Sequence, residues 1–579
     1  MRHSLLYFVL AALVSMSLGF SQAIETQNVQ LDLNSEAVSD FGFEVRVDGE
    51  WLAITDRGGI VDGTIQEGLV HVYRRGTDGW TPFQVLRSPQ TGHGWWFGSS
   101  MALEGNQLLI SCPRWGWVTP GAVRVPYSGS GRVFLFAFDG TQWGLTDTFR
   151  PTVPSYQYGD FYNAHFGAAV ALRGDRIAIS AATSAVPYPQ GTEGVVYTYK
   201  RVNGVWEEDG TVVGPGVPDP RFPASFGAFG RSIDIEGDRL VVGAPADLSG
   251  MVSTWLRTPN GWEFEQVFLC PYPGIVGQQW SFGQSVSLDH NVLAIGMPRL
   301  SCWSTNCPSL VTIEELQHGV WQRTQVLSEV NSEPYGNRAQ FGYELQLDGD
   351  WLVVGAPRMR WGGLNVNGYE RGQIRLYKRL PGQGFVLQQR FHNEQLSFGP
   401  NATLGNSVSA DFDRGLLVGG DSSFTYPLPP GPYNHGQGIT LLFDMQLGDD
   451  LACPASYNTS GHHSHLSVVG SLNRLDNQLT LHATHLPPGQ LAMFLYGSAG
   501  APLPLPTGGQ LCISGPVNRL QPAGIVGSTG ERLLDIDFTV PREAANLIAG
   551  TTWAFQAWYR DYAFQSFTGT TNAVCVVLE

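Results

Sequence analysis

Hydrophobic and polar positions along most of the chain follow one compound pattern: an alternating segment, a tight turn, then an unbroken apolar segment. FGYELQLDGDWLVVGAP, Phe341 to Pro357, is one instance. In its first half Leu345 and Leu347 share a face, with polar residues between them, the period of two expected of a strand with one face on a core. Its second half, LVVGAP, is apolar throughout, which suits a strand covered on both faces. The Asp-Gly between them supplies the positive φ of a two-residue hairpin. The pattern predicts a hairpin whose first strand leaves one face exposed and whose second is buried.

The same pattern starts at Phe41, Phe97, Phe166, Phe229, Phe282, Phe341 and, degraded, at Leu404, with a spacing of 53 to 69 residues. That period marks a supersecondary unit repeated seven times. A third strand follows each apolar run: GLVHVY, GRVFLF, GVVYTY, GMVSTW, SLVTIE, GQIRLY and GITLLF. A fourth begins near an aromatic, at Trp80, Trp143, Trp206, Trp262, Trp321 and Phe385, and is missing from the last unit. The unpaired β-capable segment ETQNVQLDLN lies ahead of the first unit. Four-stranded sheets set radially would close into a ring if this segment completed the last sheet, leaving only short, protected edges. The expected fold is all-β: a seven-bladed β-propeller closed by an N-terminal strand, over residues 24–448.

Phe-Gly followed some fourteen residues later by Gly-Ala-Pro, as at Phe229-Gly230 with Gly243-Ala244-Pro245 and Phe341-Gly342 with Gly355-Ala356-Pro357, resembles the FG-GAP repeat of the integrin α-subunit β-propeller family. The resemblance implies a seven-bladed propeller used outside the cell for binding. Blades of that family often carry a calcium loop between their first two strands, but the turns here (VDGEW, LEGNQ, IEGDR, LDGDW) are too short to wrap an ion. Only ADFDRG, with Asp411 and Asp413, keeps a D-x-D fragment, which an exposed acidic turn explains equally well, so no metal and no cofactor is expected. Arg173-Gly174-Asp175 spells an integrin-binding tripeptide, yet it falls on the hairpin turn of its unit, and turn geometry accounts for it.

Composition agrees with many short strands and turns: 71 Gly, 36 Pro, 12% aromatic and only 15% charged residues. Residues 1–23, with Arg2 ahead of an apolar run and Ser21 and Ala23 near its end, read as a secretory signal. No later run is long and apolar enough to span a bilayer, so no transmembrane segment is expected in the mature chain. A net charge of −16 repels phosphate backbones, which argues against nucleic acid as a partner. The expected location is secreted or at the cell surface; nothing in the residues decides the oligomeric state.

The loops after strands two and four open on one side of such a ring and are long, whereas those on the other side are tight. Long loops on a rigid scaffold are where binding resides. They hold Trp115, Trp117, Tyr127, Tyr156, Tyr158, Tyr162, Tyr188, Trp361, Tyr369, Tyr426 and Tyr433, a set that suits a protein interface or stacking on sugar rings. The alternative for any one of them is packing within its own loop. The expected partner is an extracellular protein or glycan.

From Leu451 the repeat ends, and residues 451–579 read as a separate β-sandwich-like domain. It resembles a C-terminal domain found on many exported bacterial proteins through Asn458 to Gly461, Gly470-Ser471, Leu486 to Gly489, Leu511-Cys512, Arg519, and Trp553 to Asp561. That resemblance suggests sorting or attachment, and implies Cys453 pairing with Cys512, with Cys575 a further candidate. Cys302 and Cys307 in CWSTNC are candidates for a local disulfide, two unpaired apolar thiols being the alternative. Cys112 and Cys270 have no assigned partner. His462, His463, His465, His482 and His485 cluster here, but solvated turn positions explain them without zinc.

No G-x-S-x-G, H-E-x-x-H or Walker pattern occurs. A non-catalytic binding or adhesion protein is therefore the leading expectation. The alternatives are an extracellular carbohydrate-active or other propeller enzyme and a structural envelope component.

Overall fold

The computed structural model describes residues 25–29, 40–59, 67–76, 79–90, 95–114, 131–152, 165–182, 194–214, 228–245, 250–271, 281–298, 309–329, 339–358, 370–380, 382–391, 401–412, 414–421, 439–444, 449–450, 458, 464–470, 472, 474–477, 479–505, 510–561 and 568–578. The chain divides into two compact units, the second made of Ala23–Thr26, Asp411–Leu417 and Phe443–Glu579. The expected signal segment lies outside the described residues, and no described helix is long and apolar enough to cross a membrane.

The first unit has an all-β, propeller-like architecture. Among the described residues, seven sheets contain the repeats, and six of these take their four main strands in chain order. Their first strands are Phe41–Asp48, Met101–Glu104, Phe166–Arg173, Ser232–Glu236, Val286–Asp289 and Leu345–Asp348. A short extra strand, Asn401–Leu404, pairs with the third strand of the sixth sheet. In the seventh sheet Ser407–Asp411, Leu416–Asp421 and Ile439–Asp444 are followed by Glu25–Val29, so the amino-terminal segment supplies the missing fourth strand.

Each first strand is the edge of its sheet and exposes a row of amide groups. In the first, third, fifth, sixth and seventh sheets, side chains of the preceding sheet take up amides of that strand. Val45 donates to Ser407 Oγ (3.0 Å) and Val47 to Ser409 Oγ (3.0 Å). Val170 donates to Ser100 Oγ, Leu288 to Asp234, Leu347 to Ser287 Oγ and Ala410 to Gln346. One step further along, Asp48 accepts from Gly105, Glu104 from Gly174, Glu236 from His290 and Asp289 from Gly349. The alternating polar face of the first strand, which its pattern predicts to be exposed, is thus not a solvent face. It faces the next sheet, because period-two alternation excludes an apolar core but does not choose between water and a neighbour's amides. The acids of the hairpin turns acquire a reason beyond turn chemistry: they fasten one turn to the next.

Glycine brings the sheets close enough for these bonds. A Cβ built on Gly243, in the second strand of the fourth sheet, would stand 2.3 Å from the carbonyl oxygen of Gly283 in the fifth. Phe-Gly and Gly-Ala-Pro are two halves of one contact between consecutive sheets. The same contact joins the ends of the series: a Cβ on Gly420 would stand 2.1 Å from the Gly42 oxygen. At the outer strands Gln84, Gln266 and Gln325 each accept from the amide and donate to the carbonyl of the aromatic that opens the next outer strand, Trp143, Trp321 and Phe385. Between these joints the repeated Phe41, Phe97, Phe166, Phe229, Phe282 and Phe341 are wholly buried.

In the second unit a six-stranded sheet and a three-stranded sheet share one apolar cluster that includes Leu466, Leu481, Phe494, Tyr496, Phe555 and Tyr559. The residues of its sequence motif are fasteners. Gln556 Nε2 donates to the Gln510 and Thr571 carbonyls while its Oε1 accepts from the Cys512 amide. The Tyr559 hydroxyl meets Asn458 and Ser464.

The glycine contact yields a stability test. Gly355, whose Cβ would stand 2.1 Å from the Gly405 oxygen, should tolerate valine poorly, with a loss of about 1–3 kcal/mol or failure to fold. Gly349→Ala, at φ 54° with open space around it, should cost about 1 kcal/mol from the backbone alone. Thermal denaturation of the two variants measures the difference.

Candidate functional site

All eleven aromatic residues expected to form a binding face, Trp115, Trp117, Tyr127, Tyr156, Tyr158, Tyr162, Tyr188, Trp361, Tyr369, Tyr426 and Tyr433, lie outside the described residues, as do Asp413, Cys302, Cys307, Cys453, His462 and His463. Cys512 is wholly buried, and Cys112, Cys270 and Cys575 are buried thiols. Asp411 accepts from the Arg414 amide and pairs with its guanidinium at 3.1 Å, so its carboxylate is engaged by an arginine.

The structure brings together a different set. The first strands of successive sheets lie side by side, and charged side chains at corresponding positions meet in the bore they enclose. Arg46, from the first sheet, donates through Nε to the Met101 carbonyl (2.9 Å) of the second. Its Nη2 lies 2.5 Å from Glu44 and 3.6 Å from Glu344 of the sixth. Arg173, from the third sheet, passes the fourth to reach the Leu288 carbonyl (2.8 Å) and Asp289 (2.7 Å) of the fifth. The tripeptide that contains Arg173 therefore has its guanidinium committed inside the ring.

Burial dominates the electrostatics here. It raises the carboxyls of Glu44 and Glu344, Glu344 to about 8 because Glu44 opposes a second charge beside it, while Arg46 and Arg231 pull the other way. Burial likewise raises Asp234 to about 6, against the amides of Leu288 and Ile235 and the charge of Arg173. Burial therefore favours the protonated form of both carboxyls beside the one guanidinium.

The end of the bore opposite the acidic turns has its own character. There the residue after each Phe-Gly closes a tight turn: Phe43, Arg231, Gln284, Tyr343 and Asn406 each donate an amide to the carbonyl three residues earlier. Arg57, just past the second strand of the first sheet, is paired with Asp40 at 2.8 Å and lies 3.7 Å from the Phe43 ring centre and 4.9 Å from that of Trp96. Arg114, just past the second strand of the second sheet, lies 3.3 Å from the same Trp96 ring. Arg358 follows the corresponding strand of the sixth sheet and is exposed, as is Arg231.

At the turn end, Glu236, Asp289 and His290 are the group of potential metal ligands found among the described residues. The Arg173 guanidinium occupies one Asp289 oxygen and the Gly349 amide the other, so the group suits an internal ion pair better than a cation. In the second unit His482 lies 3.7 Å from Glu531, and burial lowers its basicity. Residue-by-residue reading missed the bore. Its signal is the departure of Glu44, Arg46, Asp234 and Glu344 from positions that the other repeats fill with serine, alanine or, at Gln346, glutamine.

Comparison with protein-family profiles and with curated proteins finds no match. Among solved structures, the crystal structure of a protein from Lactobacillus plantarum aligns with a TM-score of 0.38 and 13% identity, over 60% of this chain and 84% of that one. That likeness decides neither fold nor function.

A pH dependence follows from the Glu344 carboxyl. Its folded-state value lies above its unfolded one, so the folded chain keeps a proton that the unfolded chain releases, and stability falls as pH rises toward about 8. Glu344→Gln should raise the melting temperature at about pH 8.5 and change it little at about pH 4, where both states are protonated. Calorimetry across that range checks the sign.

Proposed function

We propose that this chain is an exported FG-GAP-type seven-bladed propeller that acts as a non-catalytic binding or adhesion protein. It presents the loop-bearing face of the ring to a protein or glycan outside the cell. The second unit is then a β-sandwich-like module for sorting or attachment, with Cys453 bonded to Cys512.

The observation that carries this reading is the filling of the bore. Arg46 and Arg173 cross from sheet to sheet, each bonded to backbone carbonyls and carboxylates of other sheets. A ligand that entered the bore would have to break these partly buried ion pairs and hydrogen bonds. Recognition by a face leaves them intact. The long connections between strands two and three and between strands four and one leave the ring from a single side. Loops anchored on a rigid scaffold bind with little ordering cost.

The full chain, incubated with native extracellular material, should capture a defined partner by affinity purification. Replacing Trp115, Trp117 and Trp361 together by alanine should weaken that capture at least about tenfold, since buried aromatic anchors of an interface carry about 2 kcal/mol or more each. Undiminished capture by a folded triple variant would sink the assignment of the loop face.

A further inference from the structure

We propose that Gln389 is the latch that seats the amino-terminal strand in the seventh sheet. This is a device of the fold, independent of what the loop-bearing face binds.

The closing strand is held differently from its counterparts. In each of the first six sheets the fourth strand follows the third through a short turn, as Trp143–Phe149 follows Arg132–Phe138 and Val320–Glu329 follows Ser309–Gln317. Glu25–Val29 takes the fourth place in the seventh sheet beside Ile439–Asp444, a strand from the other end of the repeat series, with no turn between the two. Bringing such distant segments together carries a loop-closure cost, and only non-covalent contacts offset it.

The outer strands carry a device for making such contacts. In each of the first six sheets the ladder between the third and fourth strands slips by one residue at the same place, leaving Phe83, Thr146, Asp209, Glu265, Thr324 and Gln388 as the extra residue of a β-bulge. A bulge re-aims the side chains beside it. The next residue is Gln84, Gln266 or Gln325 in the first, fourth and fifth sheets, and each grips both backbone groups of one residue in the outer strand of the following sheet. Gln84 holds the carbonyl and amide of Trp143 at 2.9 and 2.8 Å, Gln266 those of Trp321 at 3.0 and 3.2 Å, and Gln325 those of Phe385 at 2.9 and 2.7 Å.

Gln389 stands in the same slot of the sixth sheet. It follows the extra residue Gln388 and pairs with Leu376, as Gln84 pairs with Val72, Gln266 with Thr254 and Gln325 with Ile313. Its side chain is buried, and a buried amide needs partners for both its donor and its acceptor. The sixth and seventh sheets are neighbours, joined by Gln346 on the backbone of Ala410, and the outer strand of the seventh is Glu25–Val29. By register, the grip that elsewhere falls on a strand tethered by a turn falls here on the strand that has none.

The glutamine is not a by-product of the bulge. Asp147 and Gly210 take its place in the second and third sheets, where the junctions have other fasteners: Thr152 Oγ1 bonds Glu208 at 3.1 Å, and Trp262 Nε1 donates to Thr198 Oγ1 at 2.8 Å. Tethered strands thus tolerate its loss.

The test is hydrogen–deuterium exchange of the full chain, read by mass spectrometry. Gln389→Met, which keeps the length of the side chain but removes its donor and acceptor, should speed exchange in peptides covering Glu25–Val29 at least about tenfold, the loss of two hydrogen bonds, and leave the second strands of the sheets unchanged. Gln388→Met, at the neighbouring residue whose Nε2 donates to the Val386 carbonyl of its own strand, should leave Glu25–Val29 at the wild-type rate. Gln325→Met should speed exchange at Phe385 and not at Glu25–Val29. Gln389→Asn, which keeps the amide but shortens its reach, takes the place of the methionine variant should that fail to fold, with the same result expected. Wild-type exchange of Glu25–Val29 in a folded Gln389 variant, or acceleration spread evenly over all the sheets, would overturn the proposal.

Discussion

A small sheet is vulnerable at its edges, and the ring of sheets in this protein depends on how one of those edges is closed. The amides of the first strands of the first, third, fifth, sixth and seventh sheets are taken by serine, aspartate or glutamine side chains of the preceding sheet, from Ser407 on Val45 to Gln346 on Ala410. Each such bond contributes only about 1 kcal/mol net, but leaving the buried amide unmet would cost about 1–3 kcal/mol. Repeated around the ring, the bonds make the sheets interdependent. The glycines at the sheet-to-sheet contacts are the steric counterpart, since only a residue without a Cβ lets the backbones approach closely enough for a side chain as short as serine to bridge them.

Closure has a consequence for the bore. First strands that lean on one another enclose a narrow space, and a charged residue at a bridging position has only limited access to water. Arg46, Arg173, Glu44, Glu344 and Asp234 respond in the way buried charges must, by pairing across sheets or by holding a proton. These groups brace the ring from within. At the end opposite the acidic turns, Arg57 and Arg114 meet around the shared Trp96 ring.

Much of the fold is legible in the residues. The hairpins follow from period-two alternation and Asp-Gly turns, the third strands from the recurring Gly-Val-Val-type runs, and the borrowed strand from a missing copy set against a spare segment at the amino end. The polar face of the first strand is not legible as a joint, because alternation reports only that a face avoids apolar surroundings. Reading Asp48, Glu104 and Asp289 as turn formers captures half of their role; the other half depends on which turn lies beside them in space. The candidate site is less legible still. Glu44 and Glu344 are separated by 300 positions of chain, and only alignment of the repeats with the sheets in ring order brings them to one guanidinium.

The most direct measurement is hydrogen–deuterium exchange, followed by mass spectrometry, on peptides that cover the first strands of the sheets. Edge strands ordinarily exchange quickly. If side chains of the preceding sheet cap them, the amides of Val45, Val47, Val170, Leu288 and Leu347 will exchange as slowly as those of the central second strands. Fast exchange in the first strands, with protection confined to the second and third, would contradict the capped ring.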